Sequence, residues 1–448
     1  MRWPAVQAVV QTVVLAAVHA VSVCQSASAA APQTDRFTLE NGIRVVVFHV
    51  PESTNAAIFT YLPMGLASDA PGRAQWSHLI EHLVLRSTVP SGSPEANAET
   101  LPDHMRLDSY GTVKNWQEGL SHHARWLEGV PFTDENLQAE KPRVNAECDI
   151  TARILATHKF ALAAWAQGCR HARAHVALKG DVERATLGDV QKWRDEHLVV
   201  LDRTVVCIVG GLDAETIKPI VRQRLERIRS KATPVAPVQL HHADRDMTWD
   251  LSARHLLFTW RIPGPDDDDH AALMVAAQWL ATQFFADPQL KRQTGMVLAG
   301  ADLALPEGHV FYVSVSLRPE GAFCDVRKMI EAHLEALRTG DKLGGARMIG
   351  RSLALPLTVP TDPAEVKANA PANVTLAMIE GNIGLQWGMH EYRYGEHRTQ
   401  LADMLKALTP ERVAEAARTH LAADTCAVVT LLPGPIEKTA GPTTETGD

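Results

Sequence analysis

The 448-residue chain is poor in cysteine for its length, with six, and none forms a CxxC pair. Cys24, Cys148, Cys169, Cys207, Cys324 and Cys426 are widely separated. That spacing excludes a dense disulfide framework and a four-cysteine structural zinc site. Cys207 sits in an apolar run and reads as a buried thiol, although one disulfide stays open in an oxidising compartment. An excess of positive charge is also lacking. With 44 Lys and Arg against 52 Asp and Glu, the formal net charge is -8, so no basic surface for nucleic acid is expected. Beyond the first 25 or so residues, no apolar run is long enough to span a bilayer.

What is present is globular. Apolar residues make up 46% and charged residues 21%, and the length suits two domains of about 200 residues each. At the N-terminus, Arg2 precedes a nearly uncharged apolar stretch from Ala5 to Val23, followed by Ala27-Ser28-Ala29. Residues 1–29 therefore read as a cleaved export signal, which predicts a periplasmic or secreted protein. The alternative is an uncleaved anchor. Val23 before Cys24 argues against lipidation.

Periodicity predicts an α+β fold. Residues 36–48 read as two short strands around Asn41-Gly42, with a third strand from Ala56 to Leu62. Helices are expected at Gln75–Leu85, Val113–Leu127, within Glu135–Trp165, at Leu187–Leu198 behind a Thr186 cap, and at Leu212–Ile228. Arg203–Val209 reads as a buried strand. Residues 231–247 read as a linker between units spanning 35–230 and 248–432, and 433–448 as a disordered tail. Past the linker, a strand at Leu256–Ile262 precedes Asp266 to Asp269 and a helix at His270–Phe285. That acidic run suits a helix N-terminus better than a calcium loop, whose ligands are spaced. Thr186, Val190, His197 and Leu198 recur 223 residues on as Thr409, Val413, His420 and Leu421, each set followed by a strand. This echo favours duplication of one α+β unit.

The chemistry concentrates in Ser77-His78-Leu79-Ile80-Glu81-His82-Leu83-Val84. Two histidines four residues apart share one helical face and can reach one ion. Glu81 lies on nearly the same face, free to address a water without being a ligand. The order is the inverse of H-E-x-x-H, which is absent, and matches the H-x-x-E-H signature. The bland alternative is two surface histidines. Against it stand Leu79, Ile80, Leu83 and Val84, since polar groups in a buried stretch need partners. Glu147 is the candidate third ligand and Glu140, two turns earlier, the candidate outer partner; Pro142 between them threatens a kink.

These segments resemble, in order, the pitrilysin or insulinase-type (peptidase M16) metallopeptidases, which include the mitochondrial processing peptidases and many two-domain bacterial members. Phe37-Thr38-Leu39-Glu40-Asn41-Gly42 resembles the opening strand pair, and Met64-Gly65-Leu66-Ala67-Ser68-Asp69 the turn before the zinc helix. His78 to His82 resembles the inverted zinc motif, Arg143 to Glu147 the distal ligand segment, Val205 to Ala214 the end of the first domain, and Trp260 to Pro263 the start of the second. The resemblance spans about Asp35 to Leu432. It implies two homologous α/β-sandwich domains and one Zn2+ on His78, His82 and Glu147, with Glu81 as general base for a zinc-bound water. It also implies peptide substrates added to an exposed sheet edge, and a homodimer or a heterodimer with a related M16 chain. Three departures stand out. The gap from His82 to Glu147 is short. Asp108-Ser109 stands where the substrate-strand Asn-Ala pair is expected. Lys291 or Arg292 occupies the place of a substrate-contacting Arg, with Leu298 replacing a Tyr. Two functions follow: an exported zinc endopeptidase, or a non-catalytic subunit that assembles with an active partner.

Overall fold

The computed structural model describes residues 32–434, apart from 71, 90–95, 102, 152–161, 164–165, 169–178, 234–241, 250, 252, 306–307, 359–361 and 372. The expected export signal, Cys24, Cys169, the middle of the expected linker and residues 435–448 of the expected tail lie outside the described residues.

The chain first forms β1 (Gln33–Thr38), β2 (Arg44–His49), β3 (Asn55–Leu62), α1 (Trp76–Arg86), β4 (Ala96–Thr100) and β5 (Met105–Thr112). There follow α2 (Trp116–Glu128), α3 (Asp134–Thr151), α4 (Lys179–Arg184), α5 (Leu187–His197), β6 (Val205–Gly210) and α6 (Ala214–Leu225). Then come β7 (Arg245–Trp249), β8 (His255–Ile262), α7 (Asp268–Ala286), α8 (Pro288–Gln293), β9 (Thr294–Leu305) and β10 (Gly308–Leu317). The remainder is α9 (Phe323–Thr339), α10 (Ala346–Thr358), α11 (Pro363–Asn369), α12 (Leu376–Tyr394), α13 (His397–Ala407), α14 (Pro410–His420) and β11 (Ala427–Pro433).

Two sheets result, ordered β1-β2-β6-β3-β5-β4 and β7-β11-β8-β10-β9. They share one plan. β2 and β6 are parallel, as are β7 and β11, and every other pair is antiparallel. Taken in chain order, β2 to β6 map onto β7 to β11, with β1 an extra edge. The duplication suggested by the Thr186 and Thr409 echo is thus a topological repeat. Both threonines cap their helices, accepting from Asp189 N and Arg412 N.

The central strands carry continuous apolar runs because both faces of each sheet are covered. On the first sheet, Val45, Val47, Ile58, Leu62, Val206 and Ile208 face the core beneath α1 and α2. Their neighbours Val46, Phe48, Phe59, Tyr61, Cys207 and Val209 face the other way and pack on Ile379, Ile383 and Trp387 of α12. The covering helix therefore comes from the second half of the chain. Reciprocally, Leu162, Ala163 and Ala166 from the first half pack on Leu257, Val310, Tyr312 and Val429 of the second sheet. Gln167 Nε2 donates to Thr259 O at 2.8 Å beside them.

The α12 docking depends on missing side chains. A Cβ on Gly384 would overlap Val209, and one on Gly388 would meet Tyr61. Polar locks add register: Glu380 Oε2 accepts from Ser53 Oγ (2.9 Å) and Asn55 Nδ2 (2.8 Å), and Arg36 Nε reaches Glu391 at 2.8 Å. Among the described residues each half thereby packs against the sheet of the other.

Element boundaries depart from the sequence pattern for local reasons. α2 starts at Trp116 because β5 runs on to Thr112 and Asn115 Oδ1 closes a turn by accepting Thr112 N (2.7 Å). β7 opens at Arg245, inside the stretch expected as linker, since pairing with β11 rather than apolar alternation makes it a strand. α3 runs straight through Pro142, which leaves Glu140 and Glu147 on one helix. Asp267 caps α7, and Asp269 is engaged by Arg412 and His420 (2.9 Å), so these aspartates of the acidic run serve the helix start. The described cysteines, Cys148, Cys207, Cys324 and Cys426, are all free thiols. Among the described residues no helix is long and apolar enough to cross a membrane.

Candidate metal centre

α1 places its histidines by simple periodicity. Trp76, Leu79, Ile80, Leu83 and Val84 are buried in the first core, which fixes the rotation of the helix. His78 and His82 then emerge together on the opposite stripe, ring centroids 4.9 Å apart and nearly edge-on. α3 packs alongside and brings Glu147 across the sequence. Glu147 Oε2 lies 3.2 Å from His78 Nε2 and 3.6 Å from His82 Nε2. One ligand atom from each of the three residues falls within 4.8 Å of the others. Two nitrogens and an oxygen held about 2.1 Å from a tetrahedral zinc would sit about 3.4 Å apart, so the donor set fits that ion.

The ring nitrogens pointing away from the cluster are tied down. His82 Nδ1 meets Glu140 Oε2 at 3.0 Å, and Glu140 is itself gripped through Oε1 by Arg143 Nη1 (2.7 Å) and Arg86 Nε (3.3 Å). His78 Nδ1 meets Gln75 Oε1 at 3.1 Å. Glu140 and Gln75 are thus the side chains that meet the outward ring nitrogens of His82 and His78.

Electrostatics follow from this crowding. Burial pulls the His82 imidazole down, but hydrogen bonds to Glu147 and Glu140 and the nearby Glu81 charge hold it up, at about 9. The hydrogen bonds from His78 and His82 keep the Glu147 carboxyl well below the usual carboxylate range. In the chain as described a proton therefore sits among these groups. Glu147 is about half exposed (52%), so the cluster opens to solvent on that side.

Glu81 is buried at the inner rim. Its Oε2 accepts a 2.6 Å hydrogen bond from Thr100 Oγ1, at the end of β4. β4 is the sheet's edge strand, paired only with β5 among the described residues. Beneath the helix, Ser77 donates both its backbone N–H (2.9 Å) and its hydroxyl (2.5 Å) to Asp69, whose carboxyl burial pushes up to about 8.

Asp108 and Ser109, expected on a substrate-contacting strand, do not lie on the sheet edge. Both are buried on β5, one strand in from the edge: Asp108 pairs with Arg106 (2.8 Å), and Ser109 Oγ contacts His123 (3.0 Å). The edge carries Asn97-Ala98 instead, with Asn97 opposite Asp108. Lys291 and Arg292 are exposed on α8, which packs on α7, α9 and β9 in the second half, and Lys291 Nζ lies 4.1 Å over the Phe285 ring. Leu298 lies on β9, the strand that maps onto β4.

Comparison with solved structures settles the architecture. A protease from Helicobacter pylori superposes with a TM-score of 0.69 at 16% identity, over 90% of this chain and all of that one. The fold is that of the M16-like peptidases. A peptidase M16 inactive domain from Pseudomonas fluorescens gives a TM-score of 0.67 at 16% identity, covering 91% of this chain and all of that one. The periplasmic protease PqqL from Escherichia coli gives 0.64 at 13% identity, with 91% of this chain covering 48% of that one. Residues 184–342 match the family model described as the peptidase M16 inactive domain. That match begins after Glu147 and so leaves the histidine cluster outside it. No curated protein sequence matches the chain.

Proposed function

We propose that the chain is an exported zinc-dependent endopeptidase that hydrolyses peptides or unfolded protein segments. The observation that carries this reading is the convergence of His78, His82 and Glu147 with Glu81 beside them. His78, His82 and Glu147 would hold the ion. The chemistry zinc supplies in such a set is Lewis acidity, toward a water and toward the scissile carbonyl. Glu81 would take a proton from the attacking water and return it to the departing amine. Thr100 keeps that carboxylate aimed, and burial excludes competing water. The free edge of β4, with Asn97 and Ala98, supports an extended peptide docked as an added strand.

Two units acting together fit this reading. The whole PqqL chain is about twice the length that this unit covers, so a second copy or a related M16 chain would complete the enclosure. Export rests on the Ala5–Val23 run and Ala27-Ser28-Ala29, and is supported by the periplasmic setting of PqqL.

A second reading, a non-catalytic partner subunit, is favoured by the inactive-domain match over 184–342 and by Leu298 in place of a hydroxyl donor. Purified wild type and Glu81→Gln, compared by metal analysis and peptide-library digestion, separate the two. The expectation is one zinc in each and cleavage only by wild type. Cleavage that persists in the variant overturns the assigned mechanism. A zinc-loaded wild type with no cleavage, alone or with a related chain, favours the subunit.

A further inference from the structure

Both cluster imidazoles need their distal nitrogen fixed if the other is to point at an ion. For His82 the fixing group is Glu140, an outer partner expected from the spacing. For His78 it is Gln75, and its backbone sets it apart. Gln75 adopts φ 67, ψ 14, the left-handed region, immediately before the first turn of α1. Among the described residues only Glu52 and Lys342 share a positive φ without being glycine. The side chain is nevertheless buried, at 5% exposure, and its Oε1 lies 3.1 Å from His78 Nδ1. Glycine would fit this turn without conformational penalty, and a glutamine there needs a compensating gain.

We infer that Gln75 is a positioning residue for the metal centre: its amide oxygen would accept the His78 Nδ1 proton, leaving Nε2, which meets Glu147 in the metal-free chain, to face the ion when one is held. Residues three apart share a helical face, so the buried Gln75 side chain lies within reach of the His78 ring. The two histidines are thus held by chemically different anchors, an anionic one on α3 and a neutral one on the strained turn. The neutral anchor adds no further carboxylate to a site that already gathers Glu81, Glu140 and Glu147.

This inference rests on the zinc reading, and its test keeps the two apart. Zinc affinity is measured by chelator competition for wild type, Gln75→Gly, Gln75→Met and Gln75→Glu, together with the thermal midpoint of each metal-free protein. Gln75→Gly relaxes the backbone and Gln75→Met keeps the volume, but neither offers the oxygen; Gln75→Glu retains it. Affinity is expected to fall about 10- to 100-fold in the Gly and Met variants and to stay within about threefold of wild type or better in Gln75→Glu. The metal-free midpoint of Gln75→Gly is not expected to fall in proportion. Wild-type affinity in both the Gly and Met variants overturns the inference while leaving the metal site standing. A wild type that binds no zinc overturns both. A loss of affinity shared equally by Gln75→Glu overturns the assignment of the oxygen as the acting group.

Discussion

Zinc binding to this chain should expel a proton, and the structure says which one. In the metal-free protein the His82 imidazole is held at about 9 by the Glu147 and Glu140 carboxylates, against the pull of burial. At pH 7, two units lower, about 99% of metal-free molecules carry that proton. The ligand form is neutral, so zinc must displace it. Apparent affinity should therefore rise about tenfold per pH unit between pH 6.5 and 8, about 30-fold in all, and level off near 9. Glu147 adds nothing to the count in this window, because its carboxyl sits well below the usual range and is already ionised. The sign is fixed by the direction of the shift. A raised imidazole stabilises the metal-free fold fully below its unfolded value near 6.5, and that stability is lost as pH rises through about 9. Zinc uptake and proton loss thus favour the same alkaline side. Calorimetric titration in buffers of different ionisation enthalpy reads the number directly: about one proton per zinc from His82 at pH 7. In Glu140→Gln, which removes one of the groups holding His82 up, the release at pH 8 should shrink. A pH-independent affinity between 6.5 and 8, or no buffer dependence of the heat, would refute the reasoning.

Three further outcomes follow from geometry. Thr100→Val removes the 2.6 Å donor to Glu81 and should lower kcat about 10- to 100-fold with KM nearly unchanged, while Thr100→Ser restores it; steady-state kinetics decide. Gly384→Ala pushes a methyl into Val209 at the α12 contact and should destabilise the fold by about 1–3 kcal/mol in denaturant titration, whereas an unchanged midpoint would mean α12 does not dock there. His123, between Thr60 and Ser109, is pulled by burial to about 3, below its unfolded value near 6.5. Stability is therefore present above pH 6.5 and lost as pH falls toward 3, by up to about 1.4 kcal/mol per unit, and His123→Gln should flatten that acid limb.

Much of this was legible from local pattern. The α1 periodicity presents His78 and His82 on one stripe whatever the rest of the chain does, because 3.6 residues per turn fixes it. Asn41-Gly42 forms its turn, with Gly42 at φ 97, and Thr186 caps its helix, for equally local reasons. Strand β4 was not legible: Ala-Asn-Ala-Glu-Thr is short, alternates only small Ala with polar residues, and is held as a strand by pairing with β5. The placement of Asp108-Ser109 one strand in from the edge has the same origin, since strand order and not sequence order decides which strand is the edge. β9 and β10 pair antiparallel, and scattered glycines hide both strands in the sequence.

The sequence by itself determined the donor types, their spacing on α1 and the repeated unit, because these depend on backbone geometry within a few residues. Only the tertiary structure decided that Glu147 meets the histidines across 69 and 65 residues, and that each half covers the other's sheet. Those are long-range packing outcomes. They are set by which apolar faces must be covered, and no local propensity encodes them.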